Sequence, residues 1–216
     1  MRKSKTTKPA GKSTRNARPW IVRARAWIAI IIIAPFAVIA ALSTPMVHEH
    51  TVGDFVLDAI GWACFVAGAS LRWWATLYLG GRKGRELASE GPYSLTRNPL
   101  YLGTFLMTLA IAFYIHSVLF FIGLIFATPI YMQVTVPWEE QTLRKTFGER
   151  FERYRQRTPV FFPSFRNFHA SSTVEVDLHG VYAEFLRMLQ WIWIPFLSQA
   201  FSEFRAEGWW SNWGHS

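Results

Sequence analysis

Long uncharged stretches separated by basic blocks dominate the pattern of hydrophobic and polar positions. Residues 27–44 are almost entirely apolar, and roughly 18 residues at the helical rise of about 1.5 Å reach about 27 Å, close to the thickness of a bilayer core. Residues 55–79 form a second apolar run. Residues 98–138 contain no Asp, Glu, Lys or Arg, which is too long for one helix of ordinary tilt. We therefore expect two helices there, joined by a tight turn near His116 and Ser117.

This pattern predicts an all-α membrane protein with about four transmembrane helices, two of which form a helical hairpin. Each arm of the hairpin is expected to be short, as if it crossed a thinned bilayer. For residues 27–44 a signal peptide is the alternative, because Ala40 and Ala41 resemble a cleavage site. The long basic leader and the further apolar runs favour a membrane span, which Pro35 is expected to bend.

The distribution of Lys and Arg predicts which side each loop faces. The net charge is +9, and nine of the basic residues precede residue 27. Segments 82–97 and 139–166 carry four and seven Lys or Arg, whereas 46–54 carries none. Cytosolic loops are enriched in these residues, so we expect the N-terminus and both basic segments in the cytosol. The predicted location is a bacterial inner membrane, or the endoplasmic reticulum membrane if the protein is eukaryotic.

The C-terminal part predicts a helix associated with the membrane. Residues 181–201 are apolar and rich in Trp, but they contain Glu184 and Arg187 at helical i, i+3 spacing. We favour an interfacial helix over a fifth span, with a late break at Pro195. Cys64 is the only cysteine, which excludes an internal disulfide, and its apolar surroundings predict a packing role.

Two polar segments on the predicted cytosolic side carry the candidate chemistry. The first, residues 80–103, has Gly80, Gly81 and Gly84, which suit either a turn or close backbone approach to a ligand. Pro99 predicts a helix start with Asn98 as its N-cap, and Arg97 beside it is a suitable partner for a carboxylate.

The second segment, residues 137–163, is predicted to form one amphipathic helix on the membrane surface. Its apolar face would consist of Leu143, Phe147, Phe151 and Tyr154. Glu139 and Glu140 would occupy its first turn, either as favourable dipole charges with a Glu140–Arg144 pair, or as acids that meet the Arg97 loop across the hairpin. Arg72, deep in the second apolar run, either snorkels to the surface or faces inward beside a polar site.

These segments together resemble a known family. Its signature is matched by Gly91, Pro92, Tyr93, Arg97, Asn98, Pro99, Tyr101 and Gly103, and then by Glu139, Glu140, Leu143, Phe147, Gly148 and Tyr154. The pattern resembles membrane methyltransferases related to isoprenylcysteine carboxyl methyltransferase and phospholipid N-methyltransferases. The resemblance covers about residues 71–163.

The resemblance implies S-adenosylmethionine as the methyl donor, bound at the cytosolic face between the hairpin ends. Its pocket would be lined by Tyr93, Arg97, Asn98, Pro99 and Tyr101, with Glu139 and Glu140 flanking the sulfonium. Many members carry His where this chain has Asn98, so a mechanism that uses a titrating base at this position is disfavoured. The implied division is a basic tail at 1–26, a transmembrane methyltransferase domain at 27–166, and a linker with the Trp-rich helix at 167–216.

The expected acceptor is a lipophilic or lipidated molecule that reaches the site from the surrounding membrane lipids. A carboxylate such as that of isoprenylcysteine is favoured because it needs no general base, and Arg97, Glu140 and Arg72 are the candidate catalytic residues. An amino-lipid acceptor and a non-catalytic scaffold stay open as alternatives. The basic blocks fit headgroups better than nucleic acid. His48 and His50 lack the spacing of a zinc protease helix, so no metal site is expected.

Overall fold

The computed structural model of the chain describes residues 31, 34–36, 38–39, 51–80 and 86–206. The basic tail at 1–26 and most of the predicted span at 27–44 therefore lie outside the described residues. The described part is helical and contains no strand, which confirms the all-α class. In chain order the helices are α1 (Val52–Leu79), α2 (Pro92–Leu95), α3 (Pro99–Tyr114), α4 (Val118–Phe147), α5 (Glu149–Arg157), a 3-10 turn (Phe165–Asn167), α6 (Leu178–Trp191) and α7 (Trp193–Ala206).

Two described helices, α1 and α4, are long and apolar enough to cross a membrane. Only 17% and 29% of their apolar windows are buried inside the protein, so both present a wide hydrophobic surface. The core helix of a soluble protein would bury that surface, and lipid is the solvent that suits it. The 16 residues of α3 are apolar but span only about 24 Å. The count of four spans and the side on which the chain begins stay predictions.

The predicted turn of the hairpin is confirmed at His116 and Ser117. Helix α3 ends at Tyr114, His116 adopts a left-handed φ of 50°, and the Ser117 side chain accepts a hydrogen bond from the Phe120 amide at 3.3 Å. Two short arms were expected, and this is wrong for the second. Helix α4 runs for 30 residues and continues through Pro129 and Pro137, since proline is tolerated within membrane helices.

The single amphipathic helix predicted from residue 137 is also absent. Glu139 and Glu140 lie in the last third of α4 rather than in a first turn. The chain breaks at Gly148, whose φ of 53° favours glycine, and the short helix α5 begins there. The apolar face predicted across this segment is therefore divided between two helices, and only Phe151 among its members is fully buried.

Close packing of α1 against α3 forms the centre of the fold. A Cβ on Gly68 would lie 2.6 Å from the Gly103 carbonyl oxygen, and one on Gly103 would lie 2.5 Å from Cγ of Arg72. Such contacts between glycines let two helix backbones approach directly. Met107 and Tyr114 are fully buried beside this contact, and Cys64 packs against the same cluster, as its apolar surroundings predicted.

The C-terminal segment forms two helices rather than one. The break lies at Ile192, before Pro195, because that proline fits into the first turn of α7, where a missing amide donor is tolerated. Helix α6 contacts α1, and α7 contacts α3. The rings of Trp62 and Phe196 meet edge to face at 5.7 Å. Each helix has 14 residues, and both pack on the bundle.

Candidate functional site

The loop before α3 is held in place by a returning segment after α5. The Arg97 amide donates to the Pro159 carbonyl at 2.9 Å, and the Ser164 amide donates to the Leu95 carbonyl at 3.0 Å. The two segments therefore run side by side and satisfy each other's backbone groups without forming a sheet. They fix the position of Arg97 and Asn98 at the start of α3.

Gly91 opens this loop in a conformation that only glycine adopts easily. Its φ is 56°, and a Cβ there would lie 2.5 Å from the ring of Tyr78 on α1. Pro92 follows as the first residue of α2, where proline is well tolerated. Both the backbone angle and the ring contact exclude a side chain, so the signature glycine brings Tyr93 close against α1.

Arg97 meets Glu140 across the hairpin. Its Nη1 lies 2.9 Å from Oε1 of Glu140, and the two side chains are 9% and 20% exposed. Arg155 approaches the same carboxylate at 3.5 Å. The alternative Glu140–Arg144 pair does not form, because Arg144 pairs with Glu152 at 2.5 Å. The two ends of the hairpin therefore meet, as the sequence predicted.

The neighbouring signature residues form a second contact. The Tyr101 hydroxyl donates to Oε1 of Glu139 at 2.8 Å. Asn98 occupies the N-cap position of α3, but its side chain makes no cap hydrogen bond and its amide nitrogen donates to the Val160 carbonyl at 2.9 Å instead. The predicted capping role is therefore wrong, since the returning segment competes for that side chain. Pro99 takes the first helical position as expected.

Two largely buried tyrosines lie close to these charged groups. The Tyr154 hydroxyl donates to the Tyr93 carbonyl at 2.8 Å. Burial raises the pKa of the Tyr93 phenol well above its ordinary value, and the charge of Glu139 raises it further. Burial likewise raises the pKa of Tyr154, with a smaller contribution in the same direction from Tyr93. Both phenols therefore stay neutral at physiological pH and act as hydrogen-bonding groups.

Arg72 faces inward rather than toward a headgroup surface. Its Nη2 lies 2.7 Å from Oε1 of Glu184. Its Nη1 donates one hydrogen bond to the Thr104 hydroxyl at 2.6 Å and another to the Leu100 carbonyl at 3.3 Å. Glu184 is 1% exposed and also pairs with Arg187. The guanidinium thus connects α1, α3 and α6, and the inward-facing alternative is the one that the structure adopts.

An open groove of about 640 Å³ reaches Arg97 from the polar side of the bundle. Three further arginines line it, namely Arg155, Arg157 and Arg166. Inside this rim the Nε of Arg97 is buried and makes no hydrogen bond within the described residues. A buried charged donor of this kind is suited to an anionic ligand group such as a carboxylate.

Comparison with known proteins identifies a family that the central part of the chain resembles. Residues 56–150 match the family model of phospholipid methyltransferases. This segment, which is less than half of the chain, is similar to that family. It contains most of α1, the Arg97 loop, the hairpin and both acids, so the resemblance drawn from the signature is confirmed. The matched segment and the wide apolar surfaces of α1 and α4 are the findings on which a functional proposal can rest.

Three curated relatives cover parts of the chain. A nickel-cobalt-cadmium resistance protein of Alcaligenes xylosoxydans xylosoxydans is 35% identical over 50% of this chain and 50% of its own length. A cobalt-zinc-cadmium resistance protein of Cupriavidus metallidurans is 29% identical over 63% of each chain. A methanethiol S-methyltransferase of Crocosphaera subtropica is 36% identical over 33% of this chain and 27% of its own length. The chain thus matches no more than about two thirds of any of these relatives. No solved structure matches it.

Glu184 and Thr104 contribute to the polar cluster around Arg72 although the sequence alone did not place them there. The sequence predicts an interfacial helix around Glu184, because Glu184 and Arg187 interrupt an apolar run. The available signal was that Arg72 and Glu184 are opposite charges inside apolar runs, and such groups in membranes usually pair. Gly81 and Gly84 lie outside the described residues, so their suggested approach to a ligand stays a prediction.

Proposed function

We propose that the protein transfers a methyl group from S-adenosylmethionine to a lipophilic acceptor at the cytosolic face of a membrane. The observation that carries this proposal is the meeting of Arg97 and Glu140 across the hairpin, inside a segment that matches the methyltransferase family. It brings the cation Arg97 and the acids Glu139 and Glu140 close together, next to a groove whose volume suits a small-molecule ligand.

The residues present fit the donor. The buried Nε of Arg97 suits its carboxylate, and Glu139 and Glu140 supply negative charge for its sulfonium. S-adenosylmethionine, when bound, supplies a methyl group on a positively charged sulfur. The chain's own contribution is to hold the donor through Arg97 and to keep Glu139 in place through the Tyr101 hydroxyl. Positioning and exclusion of water supply most of the rate for such an in-line displacement.

The acceptor that best suits this site is already deprotonated at neutral pH. Each nearby carboxylate is engaged: Glu139 by Tyr101, Glu140 by Arg97, and Glu184 by Arg72. For one of these carboxylates to accept a proton from an amine, its hydrogen bond or ion pair would first have to break. A carboxylate needs no such step, so we propose a lipidic carboxylate, such as a prenylated cysteine, as the acceptor.

The pairing of Arg72 changes its proposed role. Glu184 compensates its charge, so Arg72 is not a free cation for an acceptor carboxylate. It acts instead as a positioning residue that fixes Thr104 and Leu100 of α3 next to the site. Direct contact with the donor is assigned to Arg97 and Glu140.

A thiol is the second candidate acceptor. One relative is a methanethiol S-methyltransferase, and a thiolate, like a carboxylate, needs no base once it is ionised. An amino-lipid is third, because it requires a base that the engaged acids do not readily provide. A scaffold without catalysis would bind no donor.

Calorimetry on detergent-solubilised protein tests the donor site. We expect Arg97→Ala to weaken binding of S-adenosylmethionine about ten- to a hundredfold, because a charged hydrogen bond contributes roughly 1.5–3 kcal/mol. Lys145→Ala, which removes an exposed cation on α4, is the matched control and should bind normally. Equal affinity in a folded Arg97→Ala variant would remove Arg97 from the site. No binding by the parent protein would favour the scaffold.

The acceptor class is tested with a methyl-labelled donor and membranes that contain the protein. Lipid-soluble product is treated with mild alkali, which releases volatile methanol from a methyl ester but leaves S-methyl and N-methyl groups in place. We expect volatile label. Label that stays in the lipid fraction contradicts the carboxylate acceptor, and mild oxidation to a sulfoxide then separates a thioether from an amine.

A further inference from the structure

A second polar cluster lies at the other end of α1, where the hairpin turns. Asp54 and Asp58 lie one turn apart on α1, and His116 approaches them from the turn between α3 and α4. The His116 side chain is 1% exposed. One ligand atom from each residue lies within 4.8 Å of the other two. The sequence did not indicate this cluster, because the turn is 58 residues away from Asp58 along the chain.

The His116 ring lies near both carboxylates, but the distances are longer than those of close charged hydrogen bonds. Nε2 of His116 lies 3.4 Å from Oδ1 of Asp54 and 3.5 Å from Oδ1 of Asp58. A charged hydrogen bond between imidazolium and carboxylate spans about 2.7–2.9 Å. Neither ring nitrogen of His116 makes a hydrogen bond within the described part of the chain. A buried polar ring aimed between two carboxylates is unusual, because buried polar groups are normally satisfied.

The same distances match those between ligands around a metal ion. Zinc binds imidazole nitrogen and carboxylate oxygen at about 2.0–2.2 Å in tetrahedral geometry, which separates two ligand atoms by about 3.4 Å. Both distances from Nε2 of His116 agree with that separation. One nitrogen and two oxygens form a donor set that divalent first-row transition metals accept, whereas calcium and magnesium prefer oxygen alone.

Other elements hold the ligands in place. The Gln199 side chain on α7 donates to Oδ2 of Asp58 at 2.9 Å, which leaves Oδ1 directed toward His116. Metal-binding carboxylates are typically oriented by such outer contacts. His116 itself is fixed by the tight turn, with its left-handed φ of 50°. Three separate elements therefore converge on one point.

We propose that Asp54, Asp58 and His116 bind one divalent transition-metal ion of the zinc and cobalt class. Asp58 and Arg72 are 14 positions apart on one helix, or roughly 21 Å along its axis, so this site is separate from the donor site. It revises the expectation of no metal site, and it does not depend on the proposed methyl transfer.

The test uses full-length protein without a histidine tag. It carries His48→Ala and His50→Ala, so that these histidines, which precede Asp54 closely in the sequence, do not contribute. After chelator treatment, the protein is titrated with Zn²⁺ by calorimetry and with Co²⁺ by visible absorption. We expect one equivalent per chain and the intense absorption of four-coordinate cobalt. His116→Asn should weaken binding at least about a hundredfold, and Gln199→Leu about ten- to a hundredfold.

The controls separate loss of ligand from loss of fold. Asn tolerates positive φ, so His116→Asn keeps the turn while it removes the imidazole. His179→Ala removes an exposed imidazole on α6 and should bind metal like the parent. No stoichiometric binding by the parent overturns the proposal. Equal binding by folded His116→Asn also overturns it.

Discussion

The buried ion pair between Arg72 and Glu184 makes a quantitative prediction about stability. We expect Arg72→Met to lower the free energy of unfolding by about 3–5 kcal/mol, because it leaves a carboxylate that is 1% exposed without its main counter-charge. Glu184→Leu should have an effect of similar size, because the Arg72 side chain is only 14% exposed. The same carboxylate provides a matched control. Arg187 pairs with it from a position that is 56% exposed, so Arg187→Ala should cost only about 0–1 kcal/mol.

The double variant Arg72→Met/Glu184→Leu separates charge from packing. Both buried charges are then absent, and replacement of a buried pair by apolar side chains of similar volume is often neutral or stabilising by about 1–4 kcal/mol. We therefore expect the double variant to be more stable than either single variant. Denaturant titration in detergent, followed by circular dichroism, gives the four free energies of the cycle. Single effects under about 1 kcal/mol that simply add in the double variant would refute the proposed coupling of α1 to α6.

Two further outcomes follow from the topology and the helix packing. In a Cys64→Ser background, an impermeant thiol reagent on intact cells should label a cysteine at position 50 and not one at position 85, and the reverse would invert the predicted orientation. Gly103→Ala should destabilise the protein by about 1–3 kcal/mol in thermal unfolding, because its Cβ would lie 2.5 Å from Cγ of Arg72, whereas Gly180→Ala should change little. A neutral Gly103→Ala would contradict the close packing of α1 on α3.

The parts of the fold that depend on local pattern could be predicted from the sequence. The uncharged run at 98–138 requires two helices, and its midpoint gives the turn at His116. The pairing of Arg97 with an acid at residue 139 or 140 follows, because a hairpin returns its ends to one face. These conclusions need only hydropathy, helix length and charge.

The failures have physical causes that lie outside local pattern. Helix α4 continues past Glu140 although it contains Pro129 and Pro137, because a proline does not by itself end a membrane helix. Asn98 was predicted to cap α3, but the Val160 carbonyl, 62 residues further along the chain, competes for its side chain. The partners of Arg72 and His116 lie on helices that are distant in the sequence. The charge of a residue does not predict how far along the chain its partner lies.

The ion pair of Arg72 also restricts how the molecule can be divided. The family match ends at residue 150, yet the counter-charge of a buried arginine inside that match is supplied by residue 184. A shortened chain that ends after the returning segment would keep every signature residue. It would lose Glu184, whose carboxylate compensates the buried charge of Arg72. A design that transfers the signature residues to another protein would therefore have to include α6 as well. Alternatively, Arg72 would have to be replaced by an apolar side chain.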